Sequence, residues 1–144
     1  IQSAPYHQHL RVNTIPRPPW FSAPHGLDAL IYLDDLNDDT GPVCVVPGSH
    51  KWVDREPPYQ QFDPVESEQI VRVAAGSVVM MHSNVWHRTG PTLSANRRML
   101  ILSYTPCWLR RSPYGSPPEN GLTASLLDDA DEGLRELLGV AGHS

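Results

Sequence analysis

The chain has 144 residues, 40% of them hydrophobic and 19% charged, which predicts a globular domain with a core of its own. A formal net charge of −5 argues against a nucleic-acid partner. No apolar run approaches the roughly 18 residues that cross a membrane, and no signal-peptide pattern is visible. We therefore expect no membrane partner and a cytoplasmic location, where Cys44 and Cys107 stay reduced.

The predicted elements are short strands separated by turn residues. Strands are predicted over residues 6–12, 27–33, 43–46, 69–74, 77–81 and 99–104. Residues 37–41, Asn-Asp-Asp-Thr-Gly, form a strong turn signal between the second and third strands. The 15 prolines fall mostly outside these runs, because proline does not suit central strands. Short strands in this arrangement favour a β-sandwich or barrel.

The C-terminal region has a different pattern. Residues 111–144 are interpreted as a Pro-rich linker followed by a helix over 125–140, where leucines recur at helical spacing. Acidic residues lie toward the N-terminal half of this segment, where the helix dipole favours them. We expect the helix to pack on a β core that covers residues 1–110.

Three histidines and an arginine carry the chemistry that the sequence indicates. On a strand, residues i and i+2 face the same side, so His7 and His9 can reach one metal ion together. His87 follows the strand at 77–81, and Arg98 lies 11 residues later (98 − 87). A turn at 90–92 would fold the chain back and bring Arg98 near His87. Non-haem Fe(II) sites use such imidazoles, and a guanidinium can hold the far carboxylate of a 2-oxo acid.

The chain resembles the phytanoyl-CoA dioxygenase family over about residues 5–105. The matching stretches are Tyr-His-Gln-His at 6–9, Leu-Asp-Asp at 33–35, Gly-Pro-Val-Cys-Val-Val-Pro-Gly-Ser-His-Lys at 41–51, Ala-Gly-Ser-Val-Val-Met-Met-His-Ser at 75–83 and Trp-His-Arg-Thr-Gly-Pro at 86–91. The resemblance implies an all-β core folded as a double-stranded β-helix, a cupin-like jelly roll. It also implies Fe(II), 2-oxoglutarate as co-substrate, and O₂.

Site roles follow from the resemblance residue by residue. His7 matches the first ligand of the family's His-x-Asp motif, and His87 matches its distal histidine. Arg98 matches the arginine that grips 2-oxoglutarate, Thr89 matches a hydroxyl that helps to hold it, and Gln8 is a weaker contact. No catalytic residue is expected beyond the metal centre.

The chain departs from the family pattern at two points. His9 stands where the family has aspartate, so the site holds iron through His7, His9 and His87, or His9 points away and Asp28 or another carboxylate completes it, or the site is inactive. The first motif lies at residue 7, and we therefore expect that the N-terminal part of the family fold is missing. An incomplete barrel would expose edges that favour a homo-oligomer.

The leading hypothesis is an Fe(II)/2-oxoglutarate-dependent dioxygenase that hydroxylates a small organic molecule and converts 2-oxoglutarate to succinate. One alternative is a three-histidine, cupin-type dioxygenase that does not use 2-oxoglutarate. The other is a non-catalytic jelly-roll binding module. The sequence does not identify the substrate.

Overall fold

The computed structural model describes residues 2–9, 16, 18, 23, 25–93, 97–105 and 129–137. The chain divides into two compact units, Ile1–Tyr104 and Thr105–Ser144. The strands of the first unit are β1 (Gln2–His7), β2 (Leu27–Tyr32), β3 (Val43–Val45), β4 (Gln69–Val71), β5 (Val78–His82), β6 (His87–Thr92) and β7 (Met99–Tyr104), with a 3-10 turn at Ser49–Lys51. The described helix of the second unit is α1 (Glu132–Leu137).

The strands form two antiparallel sheets that together make a jelly roll. One sheet has four strands in the order β1-β6-β3-β4, and the other has three in the order β5-β2-β7. Apolar side chains from both sheets meet in one core, because alternate residues of each strand face inward. The largest buried cluster consists of Leu30, Tyr32, Leu36, Val43 and Met81.

Most of the strands that the sequence predicts are confirmed. The strands predicted at 27–33, 43–46, 77–81 and 99–104 match β2, β3, β5 and β7 to within one residue at each end. The strand predicted at 69–74 is shorter, since β4 ends at Val71 and only an isolated bridge from Leu36 to Val73 continues the pairing. The predicted β class is therefore correct, and the errors concern β1, the end of β4, and β6.

The turn predicted at 90–92 is wrong, because these residues belong to β6. Pro91 is tolerated there since β1 pairs Gln2 with Thr92 and Ala4 with Thr89, an irregular register that leaves an extra residue on β6. The backbone N–H of Gly90 still donates to Pro42 O, at 2.8 Å. The chain therefore stays in β6 from His87 to Thr92, and β7 begins at Met99.

Strand β1 begins earlier than the prediction and ends at His7 rather than at residue 12. Pro5 fits within it because β1 is the edge strand of its sheet, where one side of the backbone needs no partner. His9 therefore lies beyond the strand, and strand alternation does not fix its direction. Residues 10–12 of the prediction lie outside the described residues.

The described helix is shorter than the one predicted over 125–140. It begins at Glu132 because the Asp131 Oδ1 accepts a hydrogen bond from the backbone N–H of Leu134, at 2.8 Å, which is a side-chain N-cap. Residues 129–131 are not helical, and the remainder of the predicted segment lies outside the described residues. Within the described part of the chain, no helix has the length and hydropathy needed to cross a membrane.

The outer face of the three-stranded sheet is apolar and exposed. It carries Val78 (52% exposed), Met80 (61%), Leu100 (53%), Leu102 (43%) and Tyr104 (43%). These side chains are neighbours, because Ala29 pairs with both Met80 and Leu102 and Ile31 pairs with both Val78 and Leu100. Strand alternation alone explains why these side chains point outward.

Candidate metal centre

Three imidazole rings converge where β1 ends and β6 begins. His7 and His87 are direct partners across the two strands, and His9 follows His7 by two residues. The ring centroids are 4.1 Å apart for His7 and His87, 4.8 Å for His9 and His87, and 5.5 Å for His7 and His9. One nitrogen from each ring lies within 4.8 Å of the others, which is close enough for a single ion to bind all three. The structure thus brings the three predicted metal ligands together.

All three rings use Nδ1 in a hydrogen bond to an oxygen. His7 Nδ1 lies 2.9 Å from Pro5 O, and His87 Nδ1 lies 2.8 Å from Val85 O. His9 Nδ1 lies 2.7 Å from Asp28 Oδ2. Carbonyl and carboxylate oxygens only accept, so each Nδ1 carries a proton and each neutral ring presents its lone pair at Nε2. This is the tautomer that a metal-ligating histidine requires.

His87 is neutral at physiological pH. It is only 5% exposed, and burial, reinforced by the nearby charge of His7, lowers its pKa to about 3 from the usual 6.5. Its hydrogen bond to Val85 raises the pKa but does not outweigh burial. A neutral imidazole can bind a metal without first releasing a proton.

Asp28 is fully buried behind His9, on the inner face of β2. Its carboxylate accepts hydrogen bonds from His9 Nδ1, from Ser83 Oγ at 2.6 Å and from Ser103 Oγ. Burial raises its pKa, but the hydrogen bonds from His9, Ser103 and Ser83 together hold the pKa well below its usual value. Asp28 is therefore an anion that contacts His9, and it is not one of the three side chains whose ligand atoms converge.

Arg98 does not reach the histidines. Its side chain is 75% exposed and pairs with Asp34 through Nη2, at 2.7 Å, and Nε, at 3.0 Å. These hydrogen bonds hold the pKa of Asp34 at about 2. Arg98 precedes β7, and its backbone N–H also donates to Asp34, at 2.7 Å, so that both its backbone and its side chain are held at Asp34.

Arg97 takes the inward position instead. Its Nη1 donates to Thr40 O at 2.8 Å, and its Nε is buried without a hydrogen-bond partner among the described residues. The Tyr32 hydroxyl is likewise buried and unpaired within the described part of the chain. Burial raises the pKa of Tyr32, and the charge of the Arg97 guanidinium opposes that rise, which shows that the two groups lie close together.

Gly41 makes room for this arginine. Its φ of +73° is in the left-handed region, and a Cβ added there would lie 2.6 Å from Thr92 Oγ1 and 2.8 Å from Arg97 Nη1. Both distances are too short for real contacts, so any larger residue would displace the guanidinium. Gly41 therefore has a packing function as well as a turn function.

Thr89 and Gln8 lie near the histidines but do not bond to them. Thr89 is two residues from His87 on β6, so both face the interior. Gln8 is 1% exposed, and neither its Oε1 nor its Nε2 has a hydrogen-bond partner among the described residues. A buried, unsatisfied carboxamide costs stability, so its position next to two of the histidines favours a polar partner beyond the described residues.

A buried ion pair supports the two ligand-bearing strands from the opposite face. Arg88 Nε and Nη2 each lie 2.6 Å from a Glu68 carboxylate oxygen, and the two side chains are 7% and 5% exposed. The Tyr6 hydroxyl also donates to Glu68. Since Tyr6 adjoins His7 and Arg88 adjoins His87, this network ties together the residues that precede and follow the two ligands.

Arg97 and Glu68 were not predicted as site residues. For Arg97 the available signal is its position beside Arg98, just before β7, which does not choose between the two arginines. Glu68 has none, since it lies in a loop and is 20 residues from Arg88.

Comparison with known proteins agrees with this geometry. The sequence profile of the phytanoyl-CoA dioxygenase (PhyH) family matches residues 2–100, which is more than half of the chain and includes all three histidines. The chain belongs to the phytanoyl-CoA dioxygenase family. The jelly-roll fold is the one expected of a family member.

Individual PhyH-like relatives are similar over part of their length. The chain is 31% identical over 94 residues to the iron/alpha-ketoglutarate-dependent dioxygenase ausO of Aspergillus calidoustus, a match that covers 61% of this chain and 31% of that protein. It is 32% identical over 76 residues to the uncharacterized protein Mb1539 of Mycobacterium bovis, covering 52% and 26%. The chain thus spans less than a third of the curated relatives it matches.

A solved structure with a TM-score above 0.5 shows the same fold. The non-heme monooxygenase ThoJ, without metal, superposes with a TM-score of 0.53 at 18% identity over 74% of this chain and 41% of ThoJ. HygX from Streptomyces hygroscopicus, solved with nickel and 2-oxoglutarate bound, is 28% identical over 56% of this chain and 36% of HygX, with a TM-score of 0.47.

Proposed function

We propose that the chain is the iron-binding core of an Fe(II)/2-oxoglutarate-dependent dioxygenase that hydroxylates a small organic molecule. The observation that carries the proposal is the convergence of His7, His9 and His87, each with its Nδ1 bonded to an oxygen and its lone pair at Nε2. Imidazole nitrogens are good Fe(II) ligands, and three of them on one face leave positions open for a co-substrate and O₂. Bound iron would supply oxygen activation coupled to decarboxylation of 2-oxoglutarate to succinate.

The far carboxylate of 2-oxoglutarate fits a site made by Arg97 and Tyr32. Both the Arg97 Nε and the Tyr32 hydroxyl are buried donors that lack a partner among the described residues, and a carboxylate would satisfy both. The guanidinium lies beside Gly41, Gly90 and Thr92, as the close contacts at Gly41 show. Gly90 is three residues along β6 from His87, about 10 Å in an extended strand, which suits a five-carbon diacid.

The remaining predicted contacts complete the proposed site. Thr89 lies on the inner face of β6 between His87 and the Arg97 guanidinium, where its hydroxyl can donate to the co-substrate. Gln8 offers a buried carboxamide whose polar atoms are unsatisfied by the described residues. The roles of these chain residues are to orient the co-substrate and to exclude water from the centre.

The test compares two adjacent arginines. Arg97→Ala should weaken 2-oxoglutarate binding by at least tenfold, because one charged hydrogen-bonding partner of a carboxylate contributes about 1.5–3 kcal/mol. Arg98→Ala should leave binding within twofold of the wild type, since Arg98 faces solvent. Binding would be measured by calorimetry on Co(II)-loaded protein, and turnover by succinate release with Fe(II). The reverse ranking of the two variants would refute the assignment.

A second candidate is a three-histidine dioxygenase that binds its substrate directly on the metal. It is favoured by one observation: the three converging ligands include no carboxylate. Oxygen consumption in the presence of Fe(II) but without any 2-oxo acid would support it. Metal analysis distinguishes both enzymes from a non-catalytic binding module. If the chain is such a module, a His7→Ala/His87→Ala variant should bind iron as well as the wild type does.

A further inference from the structure

Asp28 is a buried anion for which the proposed reaction has no direct use. It is 0% exposed, yet among the described residues its carboxylate accepts hydrogen bonds from three side chains, those of His9, Ser83 and Ser103. Two of these donors are hydroxyl groups, which could serve any buried acceptor. The third is the Nδ1 of a ring that converges with two other imidazoles. The contact with His9 is therefore the one that requires an explanation.

The three rings are oriented in two different ways. His7 and His87 each donate Nδ1 to a backbone carbonyl two residues earlier in the chain, so the strand itself sets their direction. His9 lies beyond the last residue of β1 and has no such carbonyl contact. Its orientation depends on a residue from the opposite sheet.

Asp28, His9 and Ser83 form a closed ring of hydrogen bonds. The backbone N–H of His9 donates to Ser83 O at 2.8 Å, the Ser83 hydroxyl donates to Asp28 at 2.6 Å, and His9 Nδ1 lies 2.7 Å from the same carboxylate oxygen. Both the backbone and the ring of His9 are thereby fixed. Although His9 lies past the end of β1, these hydrogen bonds hold its Nε2 in a defined direction.

Charge balance gives Asp28 a second effect. Three neutral imidazoles leave a divalent ion with a local charge of +2, whereas the His-x-Asp pattern that the chain resembles leaves +1. A buried carboxylate hydrogen-bonded to one ligand brings the cluster back to +1, and burial limits the screening of that charge by water.

We propose that Asp28 is a positioning residue for the third metal ligand: it holds the Nδ1 proton of His9 and supplies, from behind the ring, the negative charge that a ligating aspartate would supply directly. This inference rests on the proposed metal centre. It explains how a chain with histidine at the aspartate position retains one carboxylate charge at the centre. The substitution at residue 9 and the carboxylate at residue 28 then act as a pair.

The experiment uses Asp28→Asn, which keeps the size of the side chain. The amide can donate to His9 Nδ1 and so favour the tautomer with its proton on Nε2, which cannot bind a metal. We expect the Co(II) affinity, measured by competition with a chromophoric chelator, to fall by about 10- to 100-fold, as for other partners of metal-ligating histidines. The matched control is Ser103→Ala, which removes a donor from the same carboxylate without touching His9 and should change the affinity less than threefold.

A second measurement needs no variant. In metal-free wild-type protein labelled with ¹⁵N, the side-chain nitrogen shifts of His9 should show a single tautomer protonated at Nδ1. A His9 ring protonated at Nε2, or averaged between tautomers, would overturn the inference even if Asp28→Asn failed to fold.

The outcomes also separate this inference from the proposed function. If Asp28→Asn binds Co(II) like the wild type while His7→Ala/His87→Ala does not, the role of Asp28 is refuted and the metal centre stands. If the double histidine variant itself retains wild-type affinity, the proposed function fails.

Discussion

Removal of one partner from the buried ion pair between Glu68 and Arg88 should be strongly destabilising. Glu68→Gln keeps the shape of the side chain but leaves the Arg88 guanidinium, 7% exposed, without a counter-charge. Breaking a buried pair in this way costs about 3–5 kcal/mol. Typical domains have only about 5–15 kcal/mol of stability, so the variant should lose a large share of it. The free energy of unfolding would be measured by urea denaturation.

A matched control lies on the neighbouring segment. Arg72 pairs with Asp38 at 2.7 Å, but the two side chains are 50% and 65% exposed. Arg72→Ala should therefore cost less than about 1 kcal/mol. Equal losses for Glu68→Gln and Arg72→Ala would show that burial of the pair contributes nothing, and would refute the reasoning.

The pH dependence provides a further check on the same pair. Burial raises the pKa of Glu68, but hydrogen bonds from Arg88 and Tyr6 outweigh it and hold the pKa below its usual value of 4.5. A depressed folded-state pKa contributes stability that is present above pH 4.5 and is lost as the pH falls through the folded-state value. The Glu68→Gln variant lacks this carboxylate, so the difference in unfolding free energy between the wild type and the variant should narrow as the pH falls below 4.5.

Three other outcomes are expected. Gly41→Ala should weaken 2-oxoglutarate binding, measured by calorimetry, because the added Cβ displaces the Arg97 guanidinium. The control is Gly48→Ala, which has a similar φ of +81° but nothing within 4 Å of the added Cβ, so it should share only the backbone strain. Co(II) at 100 times its Kd should stabilise the wild type by about 2.7 kcal/mol in a thermal melt. A chelator should remove this stabilisation, and His7→Ala should abolish it. Met80→Lys should reduce self-association in sedimentation experiments with little change in melting temperature, because Met80 is 61% exposed on an apolar sheet face; unchanged association would show that this face is not involved.

The predictable part of the fold consists of strands with strong local signals. Apolar, β-branched runs bounded by turn residues located β2, β3, β5 and β7, because burial on one or both faces imposes that composition directly. Strand β6 was not predicted, because Gly90 and Pro91 are turn residues by local preference. An irregular pairing with β1 accommodates them, and such pairing is decided by the partner strand and not by the local sequence.

The same division applies to the candidate site. The histidines were identifiable because the types and order of these residues match a metal-binding pattern. Their orientation was not predictable for His9, which lies past the end of β1 and is fixed by Asp28, 19 residues away in the sequence. The choice between Arg97 and Arg98 was not predictable, because both precede β7 and their contacts are with residues distant in the sequence, Thr40 and Asp34.

Strand β2 has a consequence for the kind of co-substrate that the interior can select. It carries Asp28, which contacts the histidine cluster through His9, and Tyr32, which lies beside Arg97, four residues apart (32 − 28) and therefore about 13 Å apart along the strand. The distance between the two ends is thus set by the covalent length of one strand and not by how tightly the sheets pack. Substitutions that loosen the packing between the sheets would widen the interior without changing the length of β2. In such variants, discrimination between bulky substrates should be lost, whereas the preference for a diacid of a given chain length should persist.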